Sequence, residues 1–144
     1  MTERFIERIT KMLRELDLPD IQVESDESVR VNVPIEGTGQ KVQVFVRPCG
    51  EMHGKEVLEF ASCGLDLPPD DAAKMPLLIL ALQRNADVML GHWGLDEGDE
   101  HSMLRVFHAQ IEDTMDPPEL RGAVLAVADE YSRLASALEG LQPD

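Results

Sequence analysis

Apolar residues recur every three or four positions near the start of the chain. The recurring positions are Phe5, Ile6, Ile9, Met12, Leu13 and Leu16. This spacing predicts an amphipathic helix over residues 2–17. Because the opposite face of this helix is charged, we expect its apolar face to pack on a sheet rather than on a membrane.

Strict alternation replaces the helical spacing in the next part of the chain. Apolar and polar residues alternate over residues 21–24, 28–35 and 41–46, and a longer run over residues 56–65 is apolar on both faces. A period of two residues predicts β-strands. We expect the run at 56–65 to be covered more fully than its neighbours, because both of its faces are apolar.

A run that is apolar at every position, residues 77–82, follows Pro76. Proline is well tolerated at the first position of a helix and is costly inside one. We therefore expect regular helix from about Pro76 to near Asn85, with a looser turn over residues 70–74. One face of this helix can cover a sheet. Its surplus apolar face needs a second partner, which is another helix, another subunit or a peptide.

Two further alternating runs, residues 88–96 and 102–111, flank a polar turn that contains glycine. This arrangement predicts an antiparallel hairpin. In the first strand, Met89, Trp93 and Leu95 fall on one face. In the second, Phe107 shares a face with residues 103, 109 and 111.

The residues Asp-Pro-Pro-Glu at 116–119 predict a last helix with a capped start, which Gly140 should end. The predicted order is helix, three or four strands, helix, two strands and helix. This order favours an α+β fold in which an antiparallel sheet of about five to six strands is covered on one face by helices. The length of 144 residues suits a single domain, residues 1–144.

The composition excludes some classes of partner. The net charge is −15 at pH 7, and 43% of the residues are hydrophobic. A charge of this sign disfavours nucleic acid and anionic membranes, which both attract Lys and Arg. The acidity is compatible with basic partners, although solubility alone also explains it.

The two cysteines, Cys49 and Cys63, bear on the cellular compartment. The N-terminus has no apolar signal core, and no later run is long enough to span a membrane, so we expect a cytoplasmic protein with reduced thiols. A disulfide between the two is the alternative if they lie on neighbouring strands.

Candidate reactive groups are few. Cys49 and His53 have the spacing of half a zinc site, but no second pair of ligands completes it. His92 and His108 are predicted to share one face of the hairpin, which leaves a weak enzymatic site open. The acidic turn at residues 96–100 is too short for a calcium loop of the EF-hand type. We therefore predict no catalytic, cofactor-binding or metal-binding residues.

The order of elements resembles that of the type III secretion chaperones and of the related YbjN-like group. The residues that carry the resemblance are Leu-Leu-Ile-Leu-Ala-Leu-Gln-Arg-Asn at 77–85, Leu-Gly-His-Trp-Gly-Leu-Asp at 90–96 and Leu-Arg-Val-Phe at 104–107. The resemblance implies a small acidic protein, usually a homodimer and without catalytic residues. It also implies binding of partly unfolded client segments on a surface of helix and sheet.

The sequence therefore favours a non-enzymatic module that binds a protein or peptide client and acts as a homodimer. The predicted contact residues, for the client or the second copy, are Leu78, Ile79, Leu82, Met89, Trp93 and Phe107. For Trp93 itself, a place in the core beneath a helix is favoured over direct contact with a partner. Two alternative functions are a structural subunit of a larger hetero-complex and an enzyme that uses His92 and His108.

Overall fold

The computed structural model describes residues 2–18, 20–25, 27–98 and 100–141. Its elements, in chain order, are α1 (Thr2–Arg14), β1 (Ile21–Ser25), β2 (Ser28–Pro34), β3 (Lys41–Met52), β4 (Lys55–Ser62), β5 (Leu65–Asp66), α2 (Asp71–Asn85), β6 (His92–Glu97), β7 (Ser102–Ile111) and α3 (Pro117–Leu141). The α+β class and the order of elements predicted from the sequence are confirmed.

The strands form one antiparallel sheet. Strands β1, β2, β3, β4 and β7 are neighbours in that order, and β7 also pairs with β5 and with β6. The sheet has seven strands where five to six were expected. The predicted strand at 56–65 is divided into β4 and β5, because residues 63–64 leave the ladder between them.

Helices α1 and α3 pack on one face of the sheet and on each other. Alternate strand residues point into the resulting core, and the most deeply buried are Val29, Val31, Val44, Val46, Leu58, Phe60 and Val106. The intervening residues point to the opposite face, which we call the open sheet face. Phe45, Arg47, Glu59, Ala61, Arg105 and Phe107 lie on it. One-sided cover by helices agrees with the amphipathic pattern of α1.

Helix α2 begins earlier than the sequence analysis predicted. It starts at Asp71 and includes Pro76 as an interior residue. The carboxylate of Asp70 accepts a hydrogen bond from the backbone N–H of Ala73 at 3.2 Å, which caps the first turn. Pro76 removes the bond that would reach the carbonyl of Ala72. Because Ala72 is exposed, water can solvate that carbonyl and the proline is tolerated.

Strand β6 is shorter than predicted. It begins at His92, and residues 88–91 form the connection from α2. Gly91 has a φ of +82°, which residues with a side chain rarely adopt, and an added Cβ would lie 3.0 Å from Val106 Cγ1. The alternation that we extended back to Val88 therefore stops at Gly91.

The ends of α1 and α3 also differ from expectation. Helix α1 ends at Arg14 rather than at residue 17, and Asp17 takes a positive φ of 58°. Helix α3 continues through Gly140 to Leu141. Its predicted start is confirmed, because Asp116 accepts from the N–H of Glu119 at 2.8 Å and Glu119 accepts from the N–H of Asp116 at 3.4 Å.

We expect an Asp116→Ala variant to lose about 1 kcal/mol of unfolding free energy, because the N–H of Glu119 then lacks its side-chain acceptor. Urea denaturation measures this loss. Thr114→Ala is the control, since Thr114 is exposed and lies two residues before the cap. Equal unfolding midpoints for Asp116→Ala and the unsubstituted protein would show that the capping box contributes nothing.

Candidate partner-binding surface

One side of α2 carries apolar side chains that lie in solvent. Met75, Ile79 and Leu82 are 54%, 48% and 68% exposed. Their spacing of four and three residues places them on one side of the helix. We call these three residues the α2 stripe. Ala81 is buried on the inward side, so the surplus apolar face predicted for this helix is present.

More apolar side chains are exposed directly after α2. Met89, in the connection to β6, is 93% exposed, and Leu95, in β6 itself, is 47% exposed. Helix α2 packs on β6. Exposed apolar residues scattered singly are ordinary, whereas their concentration marks an interaction surface. Here they concentrate in one segment of the chain, residues 75–95.

The C-terminal end of α2 is fixed to β6 by one side chain. The carboxamide of Asn85 donates to the carbonyl of Trp93 at 3.2 Å and accepts from its N–H at 2.6 Å. These backbone groups point away from β7, so Asn85 satisfies them in place of a neighbouring strand. The helix that presents the α2 stripe is therefore held in register with the sheet.

A buried carboxylate makes the second attachment. Glu130 of α3 is 3% exposed, and it accepts from Trp93 Nε1 at 2.8 Å and from Arg84 Nε at 2.9 Å. Burial alone would raise the pKa of Glu130, but the two donors and the charge of Arg84 outweigh it and hold the pKa below its ordinary value. One ionised carboxylate therefore joins α2, β6 and α3.

The structure distributes the six predicted contact residues among three environments. Ile79, Leu82 and Met89 are exposed, Leu78 and Phe107 are half-buried, and Trp93 is 6% exposed. The favoured place of Trp93 in the core is confirmed, and its inclusion among the contact residues is corrected, because its ring is directed towards Tyr131 and Glu130. Trp93 is joined to α2 through the side chain of Asn85, and it is too buried to present a surface to a partner. Contact by the other five residues stays a prediction.

The predicted pairing of His92 with His108 is wrong. His92 is opposite Phe107 in the register of β6 and β7, and Phe107 precedes His108, so the two imidazoles lie on opposite faces of the sheet. His108 is on the core side beside the ring of Phe60, with centroids 5.8 Å apart. Burial, with a smaller contribution from the charge of His92, lowers the pKa of His108 despite an opposing hydrogen bond with Gln110.

The two cysteines are not joined by a disulfide. Cys49 is exposed and Cys63 is half-buried, and both thiols are free. Partial desolvation, together with the charge of Glu59, raises the pKa of the Cys49 thiol. Within the described ranges, the structure brings no three His, Cys, Asp or Glu side chains together in a way that could hold a metal ion.

Sequence reasoning missed a hollow of about 320 Å³ on the open sheet face. Phe45, Ala61 and Phe107 line it, and they come from β3, β4 and β7. Each of these residues appears in the sequence as one position in an alternating run. Only the strand register brings them together, so no local pattern indicates the hollow.

Among the described residues, no helix has both the length and the apolar character needed to cross a membrane.

Comparison with solved structures supports the fold. The chain is similar to YbjN from E. coli, with 15% sequence identity, coverage of 93% of both chains and a TM-score of 0.66. It is also similar to a chain of the HopA1–SchA chaperone–effector complex, with 17% identity, coverage of 92% of both chains and a TM-score of 0.55. No family model matches the chain, and no curated protein is significantly similar to it. The chain therefore has the same fold as YbjN and as a chain of this complex, as the resemblance in sequence predicted.

Proposed function

We propose that the protein is a single-domain, non-enzymatic, chaperone-like module that binds a protein or peptide client and acts as a homodimer. The observation that carries this proposal is the α2 stripe, whose residues are 54%, 48% and 68% exposed although all three are apolar. Covering such a surface with a second protein removes apolar area from water, which favours association by about 25 cal/mol per Å² before the entropy and desolvation costs of binding are subtracted.

We assign the α2 stripe to the second copy of the chain. The stripe lies on a regular helix that Asn85 and Arg84 attach firmly to the rest of the fold. A surface that is already ordered loses little conformational entropy on association. A client then binds elsewhere on each protomer.

The fold comparison supports the client-binding part of the proposal. One of the two similar structures is a complex of a chaperone with an effector. At 17% identity the likeness reports the fold, so the client of this chain is a matter for experiment. The position of His92 and His108 on opposite faces removes the pair on which the enzymatic alternative depended. We also propose a cytoplasmic location, with which the two free thiols are compatible.

Selection of peptides from a displayed random library tests whether the protein binds clients. We expect enrichment of apolar peptides that, once synthesised, bind in solution with a saturable affinity and one peptide per protomer. A surface coated with blocking protein alone is the control. Failure to enrich any peptide above that control would contradict a peptide-binding function.

A further inference from the structure

The open sheet face contains a row of three residues with a specific shape. Phe45, Ala61 and Phe107 are directly opposite one another across β3, β4 and β7. Cross-strand neighbours on one face contact each other, so a small residue between two large rings leaves a depression above it. The alanine forms the floor of the hollow of about 320 Å³, and the two phenylalanines form its walls.

Gly94 of β6 accounts for the position of one wall. A Cβ added at Gly94 would lie 2.9 Å from Cδ2 and Cε2 of Phe107. The ring of Phe107 therefore leans over β6 into the space that the glycine leaves free. Ala61 between the two rings is 8% exposed, so the floor of the hollow is reached only through the gap between them.

Two ion pairs close the ends of the hollow. Arg47 Nη2 lies 2.8 Å from Glu59 Oε1. These two residues are opposite each other, two positions along their strands from Phe45 and Ala61. In the opposite direction, Arg105 Nε lies 2.7 Å from Asp96 Oδ2. Arg105 also donates to the carbonyl of Ser62 at 3.0 Å, so its guanidinium is held in place.

Each end of the hollow carries one positive and one negative side chain, so the hollow has no net charge although the whole chain has a net charge of −15. Each guanidinium already has a carboxylate partner, so a charged group entering the hollow would find no free counter-charge. A neutral aromatic ring meets no such obstacle. It can pack edge-to-face on the phenylalanine walls and stack on a guanidinium plane.

We infer that this hollow is a subsite for an uncharged aromatic side chain of the client. The inference rests on the proposed client-binding function and names the chemistry of one contact. A volume of about 320 Å³ is at the lower end of ligand pockets, about 300–1,000 Å³, which suits one side chain better than a whole ligand.

Nuclear magnetic resonance of alanine methyl groups tests the inference with defined probes. The probes are acetylated and amidated pentapeptides that carry Trp, Leu or Lys between pairs of glycines. With the Trp peptide, we expect the methyl signal of Ala61 to shift in a saturable manner. Ala109 lies on the same face, is exposed and does not line the hollow, so its methyl group is the internal control. We expect the Leu and Lys peptides to shift Ala61 at least fivefold less.

Two matched variants test the site by substitution, one that fills the hollow and one that serves as its control. Ala61→Leu fills the floor of the hollow and should reduce saturation transfer to the Trp peptide at least fivefold, whereas Ala109→Leu should leave it within twofold of the unsubstituted protein. Circular dichroism checks that both variants fold. Equal loss in both variants, or equal shifts at Ala61 and Ala109, would overturn the subsite.

The subsite and the proposed function fail in different ways. Library peptides that bind while Ala61 does not respond to the Trp peptide would refute the subsite and leave the client-binding function standing. A response of Ala61 without enrichment of any library peptide would show that the hollow accepts an aromatic ring, but it would refute the client-binding function and with it the assignment of the hollow to a client.

Discussion

A Glu130→Gln variant is expected to lose about 2 to 3 kcal/mol of unfolding free energy at pH 7. The side-chain amide of Gln at position 130 can still accept a hydrogen bond. It carries no charge, however, so the guanidinium of Arg84 loses its counter-ion. The Arg84 side chain is 29% exposed, so water compensates part of the loss and keeps it below that of a fully buried pair. Urea denaturation followed by the fluorescence of Trp93, the one tryptophan in the chain, reports the change at the site itself.

Asp129→Asn is the matched control. Asp129 precedes Glu130 on the same helix, receives the same chemical change and pairs with Arg133 at 3.1 Å on the surface. Exposed pairs of this kind contribute about 0.3–0.5 kcal/mol. Equal losses for Asp129→Asn and Glu130→Gln would mean that the buried carboxylate does not fasten α2 to the fold.

The effect of Glu130→Gln should also depend on pH. The pKa of Glu130 is lower in the folded protein than in the unfolded chain, where it is about 4.3. Its contribution is therefore fully present above the unfolded value and is lost as the pH falls through the folded pKa. We expect the stability difference between the unsubstituted protein and the variant to be constant near pH 7 and to shrink below about pH 4. A difference that grows on acidification would reverse the assigned direction of the pKa shift.

Replacing Ile79 and Leu82 together with aspartate is expected to convert the proposed dimer to a monomer. Each dimer would then bury four added carboxylates in an apolar contact, and we expect the dissociation constant to rise by roughly 100-fold or more. Because the two side chains are 48% and 68% exposed in the protomer, the fold itself should keep its stability. Sedimentation velocity measures the change in association, and thermal unfolding checks the fold.

The chain offers a control with equal exposure elsewhere. Val23 and Met52 are 53% and 55% exposed and lie on β1 and β3 rather than on α2. The variant with aspartate at both of these positions should remain dimeric. If both double variants dissociate alike, general charge repulsion rather than the α2 stripe governs association.

Periodicity alone predicted the helical layer and the class of the fold. The three- and four-residue spacing of α1 and the Asp116–Glu119 cap of α3 are local signals, and both helices form where these signals indicate. The exposed positions Ile79 and Leu82 could be expected as well. A helix that packs on one face buries only one stripe of side chains, so a helix that is apolar at every position leaves some apolar side chains exposed.

Features that depend on distant partners could not be predicted in this way. Trp93 is buried because Glu130, 37 positions away, accepts its indole N–H. His92 and His108 are separated by the strand register, in which a shift of one residue exchanges the faces of the sheet. The hollow above Ala61 requires three strands in register. The early start of α2 depends on Asp70, which caps the first turn, and on the exposed position of Ala72, whose carbonyl loses its partner at Pro76.

Light scattering on a sizing column, at several protein concentrations, tests the central claim most directly. The proposed covering of the α2 stripe by a second copy predicts a mass near twice 16.0 kDa that persists on dilution. A mass of 16.0 kDa at every concentration would contradict the homodimer and leave the exposed α2 stripe without its proposed partner.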